Sequence, residues 1–578
     1  MPKKLLVGLL VAVVGVGLAG YWFSAQRKSD SPTMAALPPA QALGFFAMPG
    51  LPQAWADVRA SRFYQHVSTP AFWQRALGAD GYARLTAEIR RIEDQLGWPL
   101  TESTIQQLLD REFGLALVPS QDKVIDVIVY AHISRAEKLA ETLSRMFSRT
   151  VPQAGRQTHM VDGFEIVTLH LEDAPTSVSY ALLGTLAVIS TDQAWIIDAI
   201  KARQGTASDR LHINPVVEAL QREAGESLLA YGYSDVEGLQ AAMRAELPWV
   251  SEALSPRALP LLQTTGKVTL KARRAAAGVM VDMLAWSPAH GVTSVLRQAE
   301  RDGATPPFRG VPAETFYLTH VDLLNLQGLW QLLTQLEAMG YQDGLQEMLS
   351  RFRAWAGVDL EQDVLPLFTG VAGLGLTAPF GAQRGSPIAL PGVFLTLGLT
   401  DEGRAHQLIQ TIGEHAGGPL FSELLQRRHH DGHTIYYLNN PLLFASPGYL
   451  ISHQQLILGS DVSLLKHMLD AAAGKTTPLT DTSVYQEVRK HFRITGGSIA
   501  FVDVSAAVQE ARVMWGPLSL LLRALTALDQ GTLTMGSMPA DPGAVIELLR
   551  PLRYIGVASQ AEPQGLRTEA FVAIEDLP

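Results

Sequence analysis

The sequence predicts an α+β protein of two homologous lobes, each a mainly antiparallel sheet with helices, preceded by one N-terminal transmembrane helix. Three observations predict it. The chain of 578 residues repeats itself once, in order. Val311-Pro312-Ala313-Glu314 echoes Pro38-Pro39-Ala40-Gln41, and Gly373-Leu374-Gly375-Leu376 echoes Gly114-Leu115-Ala116-Leu117. His430-Asp431-Gly432 echoes Val161-Asp162-Gly163, Gly459-Ser460-Asp461 echoes Ser190-Thr191-Asp192, and Ala500-Phe501 echoes Ala230-Tyr231. Second, short apolar strands are joined by hairpin-length turns and interrupted by helices, the pattern of an α+β lobe. Third, residues 5–23 contain no charge.

The offset between matched positions drifts where insertions are tolerated. Lobe 1 carries extra residues in its early helical part. Lobe 2 gains residues across 377–387, a loop by composition, and surface loops accept insertions at small cost. A period of about 270 residues is far too long for a solenoid, whose repeats run roughly 20–50 residues. The expected domains are an anchor and tether at 1–36, lobe 1 at 37–300 and lobe 2 at 301–578, with a Gly- and Pro-containing linker over 287–310.

The anchor comes first along the chain. Residues 5–23 are long enough to cross a hydrocarbon core of about 30 Å. Lys3 and Lys4 precede the run, and Tyr21, Trp22 and Phe23 close it where interfacial aromatics belong. The rival reading is a cleavable signal peptide with Gly17-Leu18-Ala19 as its small-x-small site, although the apolar run continues past it. Arg27 and Lys28 place positive charge on the far flank as well. The expected topology puts a short N-terminus inside and the bulk of the chain on the periplasmic side of the inner membrane.

Each lobe then opens with a Pro-led strand, at 43–48 and 315–321. A helical stretch follows, carried by Trp55, Val58, Phe63 and Tyr64 in lobe 1 and by Leu323, Leu324, Leu329, Leu332 and Leu333 in lobe 2. Short helices with acidic starts are expected over 101–110 and 359–367, with caps near Thr101 and Glu361. Strand pairs follow at 112–118 with 124–132, and at 371–377 with 392–399. Helices then begin at Ser134 and Thr400, both suited to an N-cap. Asp162-Gly163 and Asp431-Gly432 are hairpin turn signals. Strands leave them over 164–171 and 434–438. A second hairpin pairs 178–182 with 186–190, and its counterpart pairs 449–452 with 455–459. Helices cap at Thr191 and Ser460. A strand at 227–233 or 498–504 leads to another helix. Two strands close each lobe, 267–271 with 278–286 and 553–560 with 566–574.

Composition excludes several functions. At 47% hydrophobic and 18% charged residues the chain is globular. A net charge of −10 without a basic stretch speaks against nucleic acid as a partner. The absence of cysteine removes disulfides, thiolate metal sites, cysteine nucleophiles and an acylated-cysteine anchor, and suits an oxidising compartment.

Candidate sites are few. Before its closing strands each lobe carries an apolar segment, 247–262 and 513–528, with Trp249 and Trp515 in similar places. Core packing is the plain interpretation. The sharper one is a docking face for a lipid or apolar partner, formed by Trp249, Ala253, Leu254, Trp515, Leu518, Leu521, Leu522 and Leu525. His429, His430 and His433, with Asp431, form the best metal-like cluster, since imidazole and carboxylate suit zinc or copper. Adjacent residues on a strand point to opposite faces, so all three imidazoles cannot converge, and the Asp-Gly turn accounts for Asp431 alone. No metal and no cofactor is therefore expected. Ser463-Leu464-Leu465-Lys466 matches Ser-x-x-Lys formally but lacks the Ser-Asp-Asn and Lys-Thr-Gly partners of serine acyl-enzymes. Gly474-Lys475-Thr476 follows a helix, where a phosphate-binding loop follows a strand. No catalytic residue is assigned, and a scattered constellation stays open because triads assemble in space.

With Leu37-Pro38-Pro39-Ala40, Val311-Pro312-Ala313-Glu314 and the paired Asp-Gly turns, the layout resembles families of N-terminally anchored bacterial envelope proteins of uncharacterised function. The resemblance implies an envelope location and a duplicated α+β lobe, and carries over no activity. The expected function is a non-enzymatic binding or scaffold module held in the inner membrane through residues 5–23. Its expected partner is an envelope protein. The alternatives are a carrier of lipid or an apolar ligand, and a hydrolase or metal-dependent enzyme of unrecognised type.

Overall fold

The computed structural model describes residues 34–49, 59–96, 112–120, 125–132, 155–170, 177–207, 209–222, 228–246, 266–275, 277–286, 310–322, 326, 330–331, 334, 345–380, 390–418, 424–438, 446–513, 549–563 and 565–575. The expected transmembrane segment at 5–23, the helices expected over 101–110 and from Ser134, most of the loop expected at 377–387 and most of the 287–310 linker lie outside them. Among the described residues no helix is long and apolar enough to cross a membrane.

The chain divides into two compact units, one carrying the strands up to Trp286 and the other those from Thr315 to Ile574. The class is α+β with extensive antiparallel pairing, as the alternating short strands predict. The first unit contains β1 (Gly44–Met48), β2 (Phe113–Pro119), β3 (Ile125–His132), β4 (Arg156–Val161), β5 (Phe164–His170), β6 (Ser177–Leu183), β7 (Leu186–Ser190), β8 (Leu228–Asp235), β9 (Lys267–Ala275) and β10 (Gly278–Trp286). The pairings within this unit are antiparallel, in the order β10-β9-β8-β1-β2-β3-β7-β6-β5-β4.

The second unit contains β11 (Thr315–Val321), β12 (Phe368–Thr377), β13 (Gly392–Leu399), β14 (Leu425–His430), β15 (His433–Leu438), β16 (Gly448–Ser452), β17 (Gln455–Gly459), β18 (Ser498–Asp503), β19 (Leu552–Glu562) and β20 (Gly565–Ile574). Its order is β20-β19-β18-β11-β12-β13-β17-β16-β15-β14, again antiparallel throughout. Strand for strand, this is the order of the first unit.

The two units also share local hydrogen bonds. In the first, the Leu211 N–H donates to the Pro38 carbonyl at 3.0 Å; in the second, the Leu479 N–H donates to the Val311 carbonyl at 2.8 Å. The Thr191 N–H donates to the Val127 carbonyl, and the Ser460 N–H to the Val393 carbonyl. The return bonds run from the Val127 N–H to Thr191 Oγ1 (3.1 Å) and from the Val393 N–H to Ser460 Oγ (2.9 Å).

Those bonds move the expected helix caps by one residue. Thr191 and Ser460 spend their hydroxyls on the neighbouring strand. The caps are Asp192, which accepts from the Ala194 N–H, and Asp461, which accepts from the Ser463 N–H. Thr400 behaves likewise. Its hydroxyl donates to the Pro366 carbonyl, and Asp401 caps helix Glu402–Gly417 through the Arg404 N–H. The short helix expected over 359–367 is a π turn, Leu360–Val364, followed by a 3-10 turn, Leu365–Leu367, and its cap is Asp359 instead of Glu361. An aspartate has two acceptor oxygens free at a helix start, so it outcompetes a hydroxyl already engaged elsewhere.

The main buried cluster of the first unit packs on one face of β3. Strand β3 buries alternate residues, Asp126, Ile128, Tyr130 and His132. Ile128 and Tyr130 join Phe45, Ile166, Val188 and Ile196 in one cluster. Asp126 is buried because its carboxylate is satisfied: it accepts from the Thr191 hydroxyl at 2.8 Å and from Trp195 Nε1 at 3.2 Å. In the second unit helix Val462–Ala472 buries Leu464, Leu465, Met468 and Leu469, one stripe at helical spacing. Each such side chain contributes about 2 kcal/mol on burial. Truncating Leu464, which is fully buried, to alanine should cost about 2–5 kcal/mol.

Candidate functional site

The polar cluster with the most convergent chemistry lies at the tip of the β14–β15 hairpin. Asp431 (φ 51°) and Gly432 (φ 78°) both take the left-handed conformation, which makes the two-residue type I′ turn. The turn fixes the register, with His430 opposite His433 and His429 opposite Thr434. Directly paired residues share a face and adjacent ones do not. His429 Nδ1 accordingly meets the Thr434 hydroxyl at 3.1 Å, on the other side from His430.

His430 faces helix Val462–Ala472. Its Nε2 lies 2.9 Å from Asp470 Oδ1, with both side chains about one-quarter exposed. Asp431 bonds the Lys475 ammonium just beyond that helix. That hydrogen bond holds the Asp431 carboxyl below the usual carboxylate range, and the charges of His430 and His433 add to it. One ligand atom each from His430, Asp431 and Asp470 lie within 4.8 Å of one another. The His433 ring sits 5.8 Å from that of His453. His453 (φ 54°) and Gln454 (φ 56°) form the next hairpin turn in the left-handed region without a glycine, and Ser452 Oγ lies 2.7 Å from His453 Nδ1.

The histidine trio singled out in the sequence is therefore split. His430 joins the two aspartates, His433 leans toward His453, and His429 stays on the opposite face. Asp470 was not a sequence candidate. The only signal is its place on the helix one turn after Lys466, and nothing in the sequence brings that helix to a hairpin tip 40 residues earlier. Ser463 of the Ser-x-x-Lys match serves through its backbone N–H at the helix cap. Burial, aided by Arg428, lowers the Lys466 ammonium. The apolar candidates Trp249, Ala253, Leu254, Trp515, Leu518, Leu521, Leu522 and Leu525 lie outside the described residues.

The same place in the first unit is built differently. Its turn is Asp162 (φ 49°) and Gly163 (φ 83°), but the flanking pair is Val161 opposite Phe164. Both pack on the core with Trp195 and Ile197. The helix there, Gln193–Arg203, has the same length as Val462–Ala472 and carries Lys201 where the second has Asp470. The hairpin tip thus closes on its helix through apolar contact in one unit and through histidine and aspartate in the other.

A second unusual group is Glu112, at the start of β2. Burial pushes its carboxyl up to about 7, and the Met34 backbone N–H pulls partly back.

The family model described as "Protein of unknown function (DUF3352)" matches residues 5–385, more than half of the chain. The chain belongs to that family. The match spans the first unit and the opening strands of the second, and ends before the β14–β15 hairpin. No curated protein matches the chain. Among solved structures, "Structure of crystal form I of TP0453" is similar at 10% identity over 46% of this chain and 84% of that one, with a TM-score of 0.25. "Structure of crystal form III of TP0453" is similar at 9% identity over 48% and 91%, with a TM-score of 0.26. Likeness at these scores carries no argument about this chain.

Proposed function

We propose that this member of the family is tethered to the inner membrane through residues 5–23 with its bulk on the periplasmic side. Its two units act there as a non-enzymatic binding module for an envelope protein. The observation that carries the reading is an uncharged apolar run, basic before and aromatic at its end, ahead of two compact units with one strand order. We read the shared order and the shared bonds at Pro38/Val311 and Thr191/Ser460 as internal duplication. Duplication supplies two copies of one scaffold whose exposed tips are free to diverge, which suits recognition better than a single assembled reaction centre. β14 pairs with β15 alone among the described residues, and with Arg427, Arg428 and His429 exposed it presents charge at a strand edge, a pattern that discourages nonspecific strand addition and leaves room for a specific partner.

The test is fractionation of the full chain and of a chain lacking residues 1–28. The full chain is expected to stay in the membrane pellet after an alkaline carbonate wash, and its intact mass to retain residues 5–23. The shortened chain is expected in the soluble fraction. Full release of the intact chain by carbonate contradicts the tether, and loss of residues 5–23 from the mature mass assigns them to a cleaved signal.

A further inference from the structure

We infer that the β14–β15 hairpin tip binds a divalent transition-metal ion, zinc by its donor set, through His430, Asp431 and Asp470. One imidazole nitrogen and two carboxylates suit zinc and its neighbours in the first transition row. The three donor atoms already lie within 4.8 Å of one another. Ligand bonds of about 2.0–2.2 Å require them to draw in by roughly 1 Å, within reach of two aspartate side-chain torsions. Backbone geometry does the rest. The type I′ turn sets His430 and Asp431 side by side at the tip, and the buried stripe of Val462–Ala472 fixes Asp470 beneath them.

Lys475 occupies the position of a counter-charge. With two aspartates and one imidazole drawn together, its ammonium bonds Asp431 and offsets part of the cluster's negative charge without an ion. A bound cation takes over that role and displaces it. The first unit supplies the internal comparison: the same turn on the same helix is closed by Val161 and Phe164, so the fold does not require polar groups there. The ion would clip the hairpin to the end of the helix and leave a ligand position open to solvent, beside the His433–His453 ring pair.

The experiment is zinc titration by calorimetry of the full chain, purified in mild detergent without a histidine tag. One ion per chain at micromolar affinity is expected. Asp470→Asn and His430→Gln are each expected to weaken binding by about tenfold or more, the loss typical of disturbing a metal site. His429→Ala, on the opposite face, is expected to leave affinity unchanged. Lys475→Met removes the competing cation and is expected to tighten binding, a gain that a misfolded variant cannot mimic. Absence of saturable binding to the unmodified chain overturns the site. So does a loss with His429→Ala equal to that with Asp470→Asn, which would mark diffuse binding by surface imidazoles.

Discussion

Glu112→Gln is expected to stabilise the first unit at alkaline pH and to be neutral at acid pH. Burial holds the Glu112 carboxyl up at about 7 in the folded chain, against an ordinary value of 4.5. Between those values the folded state binds more protons than the unfolded one. Stability therefore falls as pH rises through that window and is lowest above it. The rise from 4.5 to about 7 corresponds to about 3 kcal/mol at most. Glu112 keeps some contact with solvent, which reduces this to about 2 kcal/mol. Glutamine has nearly the same shape, keeps an acceptor for the Met34 N–H and carries no charge to bury. At pH 8 the variant should melt about 4–8 °C higher, taking roughly 2–4 °C per kcal/mol for a unit of this size. At pH 4, below both values, the two melts should nearly coincide. The assay is calorimetry of both chains at both pH values, with the second unit's transition as an internal reference. A variant no more stable than the parent at pH 8 refutes the reasoning, because it means the carboxylate is ionised at no cost.

Other expectations follow from single contacts. Gly375 pairs directly with Phe394, and a Cβ there would lie 2.1 Å from the ring of a side chain only 1% exposed. Gly375→Ala should cost about 1–3 kcal/mol in urea unfolding, and Phe394→Leu in the same chain should recover part of it. Arg210, 4% exposed, grips Asp198 through two bonds of 2.6 and 2.8 Å and also donates to the Leu37 carbonyl. Asp198→Asn should destabilise the first unit by about 2 kcal/mol, less than a fully buried pair because Asp198 is about one-third exposed. A double-mutant cycle with Arg210→Met should show the two costs to be coupled; additive losses would mean the pair is not the tie between Leu37 and the helix.

The sequence carried the sheets further than the surfaces between them. Strands β11, β7 and β13 were legible to the residue, because the Pro or Gly shortly ahead of each and the apolar run that follows are local signals. The edge strands β4 and β14 were not, since Arg156–Val161 and Leu425–His430 expose nearly every side chain and show no alternation. The caps at Thr191, Ser460 and Thr400 were each misplaced by one residue for one reason. Their hydroxyls are claimed by distant backbone, a tertiary fact, and the aspartate that follows takes the cap. At the candidate site the turn and its histidines were legible, and so was the divergence of His429 from His430. Asp470 was not, because its approach to His430 depends on how a buried leucine stripe seats a helix under a hairpin.

The most direct measurement of the binding-module account is chemical crosslinking of the full chain in its native cells, with the captured species identified by mass spectrometry. The account predicts one reproducible envelope protein, captured by the intact chain and lost when residues 5–23 are removed. Recovery of the chain alone, or of lipid without any protein partner, would contradict it.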